Sequence, residues 1–249
     1  IGTSDSLKGL SRADLEQFHA AHFRPDNAAL IVTGDVTPDA VLPQLEKALG
    51  AWKAPATPKT ATMVPAPLPI KARTIYIVDK PGAAQSVVRI GAVGVARATP
   101  DYFPIEVMNT ILGGSFTSRL NQNLREKNGY AYGASSSFDM RAAAGPFAAG
   151  ASVQTDKTAE AVTECFNELN GIRRPIPADE LAKAKNYMAL GFPAQFETSR
   201  DLAGMFAGLA VYGLPDDYYD GFVDRVQALT AADLGRAATQ YIQPDKLAV

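Results

Sequence analysis

The sequence holds a single cysteine, Cys165, among 249 residues. That excludes an internal disulfide and leaves cytosol and periplasm both open as compartments, the periplasm favoured for a Gram-negative source. Histidine is as scarce, with only His19 and His22. Neither H-E-x-x-H nor its inversion H-x-x-E-H occurs, so the chain lacks a zinc-hydrolase motif. Glu16 and His19 form one Glu-x-x-His, but a metal pair needs a second copy on another helix; the two histidines therefore read as helix-face packing or surface residues. No stretch approaches the roughly 18 consecutive apolar residues of a membrane span. No basic segment leading into an apolar one opens the chain as a secretory signal would. A net charge of −2, with no basic cluster beyond Arg173-Arg174, argues against a nucleic-acid partner. The nucleophile elbow G-x-S-x-G is also missing. Gly113-Gly114-Ser115-Phe116-Thr117 lacks the last glycine, and reads as a helix stop followed by a new N-cap. Cys165, on an amphipathic pattern with no histidine nearby in sequence, reads as structural.

What remains is an ordinary globular composition, near half hydrophobic and one fifth charged. Ser11 with Asp14 predicts a capping box and a helix to about Phe23, stopped by Pro25. A short strand is expected at 28–33, then a helix from Pro38 with Val41, Leu42, Leu45 and Leu49 on one face, closing at Gly50. Residues 53–71 carry five prolines and no periodicity, the pattern of a linker. Strands are expected at about 74–79, 86–95, 132–140 and 146–153. Helices are expected at 102–112, 118–127, after an Asp156 cap to Gly171, and at 178–192, 199–212, 216–228 and 231–241. Strands followed by helices on a sheet joined mostly by short turns predict an α+β layer.

The chain also repeats itself. Residues 5–30 laid on 224–249 at a constant offset give eight identities, among them Leu10/Leu229, Asp14/Asp233, Leu15/Leu234, Pro25/Pro244 and Asp26/Asp245. Ser11/Thr230 keeps the N-cap. The expected organisation is thus residues 1–52 as the end of a first repeat, a linker at 53–71, and 72–249 as a second repeat lacking its last strand and helix. A 52-residue tail is too small to bury a core alone, so something outside the sequence must complete it.

Arg125 to Tyr132 takes a helix end through an Asn128-Gly129 turn into a strand. Arg125 falls in the last helical turn, where the helix dipole favours a cation. From the residues alone this is either a solvated helix end with a strand tyrosine, or a guanidinium fork and a phenol facing one cleft as donors to peptide carbonyls.

Leu112-Gly113-Gly114, Ser118-Arg119-Leu120 and Leu124-Arg125-Glu126-Lys127 with Gly129 and Tyr132 resemble the C-terminal domain of insulinase/pitrilysin-type (inverzincin) zinc metallopeptidases. Arg24-Pro25-Asp26-Asn27 and Gly34-Asp35-Val36-Thr37 resemble the end of that family's N-terminal domain, so the likeness covers essentially the whole chain. It implies duplicated α+β domains, each a mostly antiparallel sheet covered on one face by helices, as in LuxS and the processing peptidases. It implies a zinc site on H-x-x-E-H plus a later glutamate in the N-terminal half, and none in this chain. It implies that Arg125 and Tyr132 are the pair this domain lends to catalysis, gripping the peptide backbone and stabilising the tetrahedral intermediate. The implied partners are an unfolded peptide substrate and a missing N-terminal domain or zinc-bearing subunit, in a homo- or hetero-oligomer. A non-catalytic scaffold of the same fold is the alternative.

Overall fold

A computed structural model describes residues 2–59 and 64–249. In chain order the elements are α1 (Ser4–Lys8), α2 (Arg12–His22), α3 (Pro38–Leu49), β1 (Gln85–Val93), α4 (Tyr102–Asn109), α5 (Arg119–Asn121), β2 (Ala131–Phe138), β3 (Pro146–Gln154), α6 (Thr158–Gly171), α7 (Ala178–Gly191), α8 (Ser199–Tyr212), α9 (Phe222–Ala228) and α10 (Ala231–Tyr241). They fall into two compact units, Ile1–Val64 with Phe196–Ala210, and Pro65–Gln195 with Val211–Val249.

In the first unit the Ser11 hydroxyl accepts from the Asp14 amide while the Asp14 carboxylate accepts from the Ser11 amide, two orphan donors satisfied reciprocally. A 3-10 turn, Pro25–Asn27, follows α2. Buried Arg24 donates to both Asp26 carboxylate oxygens and to the carbonyls of Thr57 and Pro58. Residues 28–33 enter no ladder, so the strand expected there is not formed; a strand exists only through its neighbours. Neither α2 nor α3 buries a residue, and Leu15 is 62% exposed. The linker expected at 53–71 includes 60–63, which lie outside the described residues; the rest of it carries neither helix nor strand.

The second unit repeats the same local structure with a different environment. Thr230 and Asp233 form the equivalent capping box on α10, which has the same length as α2, and a 3-10 turn at Pro244–Lys246 matches Pro25–Asn27. Here the helix is amphipathic in fact, for Leu234, Ala237, Ala238 and Ile242 are wholly buried. The sheet is antiparallel in the order β1-β3-β2. Val88 and Ile90 on β1, Phe147, Ala149 and Val153 on β3, and Ala134, Ser136 and Phe138 on β2 are buried, while the residues between them are mostly exposed. This alternation is what a sheet covered on one face requires, and α4 and α6 supply the cover. The expected strand at 74–79 is reduced to a single bridge. Thr74 and Gly91 both pair with Ala248, and Ile75 to Val78 beyond the bridge are exposed.

Two expected helices change character. The helix begun at Tyr102 continues past Asn109 as a π turn, Thr110–Gly114, and the one begun at Arg119 becomes π over Gln122–Lys127. The wider turn shows in the Asn128 amide, which donates to the Asn123 carbonyl five residues back at 3.1 Å. Asp156 is not the cap of α6; Lys157 occupies that position without a side-chain bond, after a 3-10 turn at Thr155–Lys157. Residues 216–221 are turns, and only Phe222–Ala228 is helical.

Polar side chains tie the π segments to β2. Asn109 Nδ2 donates to the Ser136 carbonyl at 3.1 Å, and Ser136 Oγ donates to Asn109 Oδ1 at 2.7 Å, both buried. The outer edge of β2, otherwise a row of unpaired backbone groups, is thereby occupied. Asn109→Ala strands the Ser136 carbonyl and hydroxyl, so it should cost about 1–3 kcal/mol, read as a lower urea midpoint with the slope unchanged. An unchanged midpoint would mean that water replaces the amide at no cost.

Candidate functional site

Arg125 lies in the π segment Gln122–Lys127, and Tyr132 at the start of β2. Between them Gly129 adopts φ +65°, the left-handed conformation that ends a helix and that glycine enters without steric cost. The Gly129 amide donates to the Arg125 carbonyl at 3.1 Å and the Tyr130 amide to the Leu124 carbonyl at 2.8 Å. This reverses the chain sharply enough to return Tyr132 to Arg125. The ladder with β3 shifts between Ala131 and Ala134. This bulge, one extra residue on β2, kinks the strand and re-aims its side chains. Tyr132 emerges 87% exposed.

The two residues expected to act together are brought together. The Arg125 guanidinium carbon lies 5.1 Å from the Tyr132 ring centre and 4.6 Å from that of Phe116, within the range of cation–π attraction. Its Nε is 3.2 Å from Glu126 Oε1; both side chains are partly exposed, so that pair orients more than it stabilises. Phe116 was not singled out by the sequence pattern. The one signal for it was an aromatic placed directly after a Gly-Gly-Ser stop, where a solvent loop has no use for a large apolar side chain.

Buried amides hold the arrangement in place. Asn121 Nδ2 donates to the Phe116 carbonyl at 2.6 Å, and its Oδ1 accepts from the Ala134 amide at 3.1 Å. Asn123 Nδ2 donates to Glu164 and Glu168 on α6, and Asn128 Nδ2 donates to Asn123 Oδ1. Arg119 Nε donates to Glu180 on α7 at 2.8 Å. The segment carrying Arg125 is thus fastened to β2, α6 and α7 by side chains that are themselves satisfied, the condition for a preorganised site.

Among the described residues the remaining reactive groups gather at no second centre. His19 stacks on Phe23 with ring centres 4.9 Å apart, and His22 tilts against Phe18 at 4.6 Å. Among the described residues no three of His, Cys, Asp and Glu gather where a metal ion could sit, so the donor set here does not fit a catalytic zinc. Cys165 is buried, and desolvation followed by Glu164 and Glu168 pushes its thiol up to about 12, which leaves it unreactive. Arg97 is buried beneath Tyr102 and donates to the Tyr218 hydroxyl. Burial raises the neighbouring Glu106 above the usual carboxylate range, against the pull of Arg97. A cleft of about 520 Å³ is lined by Thr110, Ser115, Arg119, Gln122, Glu180 and Tyr187, among others. Neither Arg125 nor Tyr132 lines it. No helix among the described residues is long and apolar enough to cross a membrane.

An antiparallel sheet backed by helices on one face, with an arginine and a tyrosine brought together at the start of β2, defines an α+β domain. Residues 9–188 match the family described as the peptidase M16 inactive domain, and the chain belongs to that family. It is 28% identical to the zinc protease PqqE of Helicobacter pylori over 98% of its own length and 55% of the relative's. It is 28% identical to an uncharacterized zinc protease of Streptomyces coelicolor, over 74% of this chain and 41% of that one. The crystal structure of a peptidase M16 inactive domain from Pseudomonas fluorescens superposes with a TM-score of 0.88 at 26% identity, covering 99% of this chain and 58% of that one. The chain therefore spans about half the length of the relatives it matches.

Proposed function

We propose that this chain is the metal-free half of a zinc metalloendopeptidase and that it lends Arg125 and Tyr132 to a zinc site lying outside it. The observation that carries the reading is the pairing of an 87% exposed phenol with a guanidinium 5.1 Å away, on a segment otherwise locked by buried amides. Exposure of that kind contributes nothing to folding and leaves the donors available. The guanidinium's terminal nitrogens carry N–H donors suited to a peptide carbonyl. The phenol can donate one hydrogen bond to the oxygen on which charge develops when that carbonyl is attacked. Membership of a peptidase family and relatives named zinc proteases support the reaction class.

The partner in this reading is a zinc-bearing half, whether on the same polypeptide or on a second subunit, and the substrate is an unfolded peptide. Residues 1–52, read as the end of a first repeat, support such a partner. Leu7, Leu15, Phe18, Leu30 and Leu42 are exposed there, each worth about 1.5–3 kcal/mol if buried.

The test is a peptidase assay of this chain with and without its zinc-bearing half. Arg125→Ala is expected to raise KM for an unfolded peptide about tenfold with a smaller change in kcat, because a backbone grip acts on ground state and transition state alike. Unaltered kinetics in both Arg125→Ala and a Tyr132 variant would leave the chain as a scaffold of the same fold.

A further inference from the structure

We propose that Phe116 is a third element of the Arg125–Tyr132 site and sets its specificity, receiving a large apolar side chain of the bound peptide next to the carbonyl that Arg125 holds. The inference rests on the peptide-binding reading above and deepens it. Phe116 is 61% exposed, yet it does not sit on a random stretch of loop. Its backbone carbonyl accepts a hydrogen bond from Asn121 Nδ2 at 2.6 Å, and the other end of the same amide accepts from the Ala134 amide on β2 at 3.1 Å. Asn121 is only 4% exposed, so one buried side chain sets the spacing between the loop that carries Phe116 and the strand that carries Tyr132. Asn121 is accordingly the positioning residue of the site.

The guanidinium of Arg125 lies 4.6 Å from the Phe116 ring centre. A ring needed solely to steady a cation is best buried over it; this one offers most of its surface to solvent beside a peptide donor. Gly113 and Gly114 precede it and Ser115 is turned inward, its hydroxyl donating to the Thr110 carbonyl at 3.1 Å. No bulky neighbour on the N-terminal side of the loop competes for the exposed surface. An extended peptide gripped at one carbonyl presents the adjacent side chain to one side of its backbone. An aromatic or long aliphatic side chain there covers the phenyl ring and removes apolar surface from water on both partners. A serine or glycine cannot.

The experiment uses the 249-residue chain and two fluorescein-labelled decapeptides of serine and glycine, one with phenylalanine at its centre and one with serine there, titrated by fluorescence anisotropy. The wild type is expected to bind the phenylalanine probe about tenfold more tightly. Phe116→Ala should bring that ratio near one while leaving the serine probe within about twofold, and Phe116→Leu should keep most of the preference. Arg125→Ala should weaken both probes and keep the ratio. Asn121→Ala should blur the ratio even where circular dichroism shows a folded chain. A ratio that survives Phe116→Ala overturns the assignment, as does an equal loss on both probes, which would make Phe116 a mere seat for Arg125. Binding that ignores Arg125→Ala strikes instead at the peptide-binding reading itself.

Discussion

Tyr132→Phe is expected to lower kcat by about two orders of magnitude in the chain assembled with its zinc-bearing half, and to leave the melting temperature unchanged. The substitution removes one oxygen. Because Tyr132 is 87% exposed, no buried hydrogen bond is lost and no cavity opens. The ring that faces Arg125 at 5.1 Å stays, so the guanidinium keeps its neighbour. What goes is a single donor to the developing oxyanion, a loss that costs about 10²–10³ in rate where such donors have been removed. The change should fall on kcat and on kcat/KM alike, the signature of an interaction made only in the transition state. Tyr130→Phe is the control. Tyr130 precedes β2, and its backbone is committed on both sides, its amide to the Leu124 carbonyl and its carbonyl to the Gln154 amide. Loss of activity in Tyr130→Phe with a silent Tyr132→Phe would shift the assignment by two residues. Silence in both would leave no catalytic part for this chain.

The features legible from the sequence were those written in contiguous residues. The capping boxes of α2 and α10, Ser11 with Asp14 and Thr230 with Asp233, stand where hydroxyl and carboxylate are three apart. Strands β1, β2 and β3 lie within two residues of their expected limits. The turn at Gly129 between a helix end and a strand start was legible, but the residues alone left open whether Arg125 and Tyr132 face one another. Other features depend on contacts that no local pattern encodes. Residues 28–33 have the composition of a strand but form no ladder among the described residues. The π turns at 110–114 and 122–127 share their apolar spacing with an α-helix, and only the long-range bonds of Asn109 and Asn121 mark where the chain widens against β2. In sequence those asparagines are unremarkable; buried, they are the frame of the site. The same holds for the contrast between α2 and α10, which share a pattern and differ in burial, α10 packing against α4 while α2 buries no residue.

The frame leaves no room for a side chain at Gly113. A methyl group placed there would meet the Ser136 amide nitrogen at 2.3 Å, Ser136 Oγ at 2.5 Å and the Ser135 carbonyl carbon at 2.8 Å. Two of these are backbone atoms in the middle of β2, so no side-chain rotation relieves the contact. Helix propensity pulls the other way, since alanine is favoured over glycine by roughly 1 kcal/mol in a helical turn. The sign of the result therefore decides which effect governs the position. Gly113→Ala is expected to destabilise the chain by about 1–3 kcal/mol net of propensity, the range for overpacking a tight interior, and to lower the melting temperature by roughly 2–4 °C for each kcal/mol in a chain of this size. It should also damage the site, because the turn at 110–114 can relieve the contact only by moving off β2, and it carries the Phe116 loop with it. Peptide binding at a temperature where the variant is fully folded should consequently fall by more than its unfolded fraction explains. Gly133→Ala, beside Tyr132 itself, supplies the contrast. The nearest atom to its added methyl is Asn121 Oδ1 at an ordinary 3.7 Å, and its stability should stay close to wild type. A Gly113→Ala chain that melts and binds as the wild type does would show that the π turn has room to spare, and that the closeness of the Phe116 loop to Tyr132 is not held by this contact.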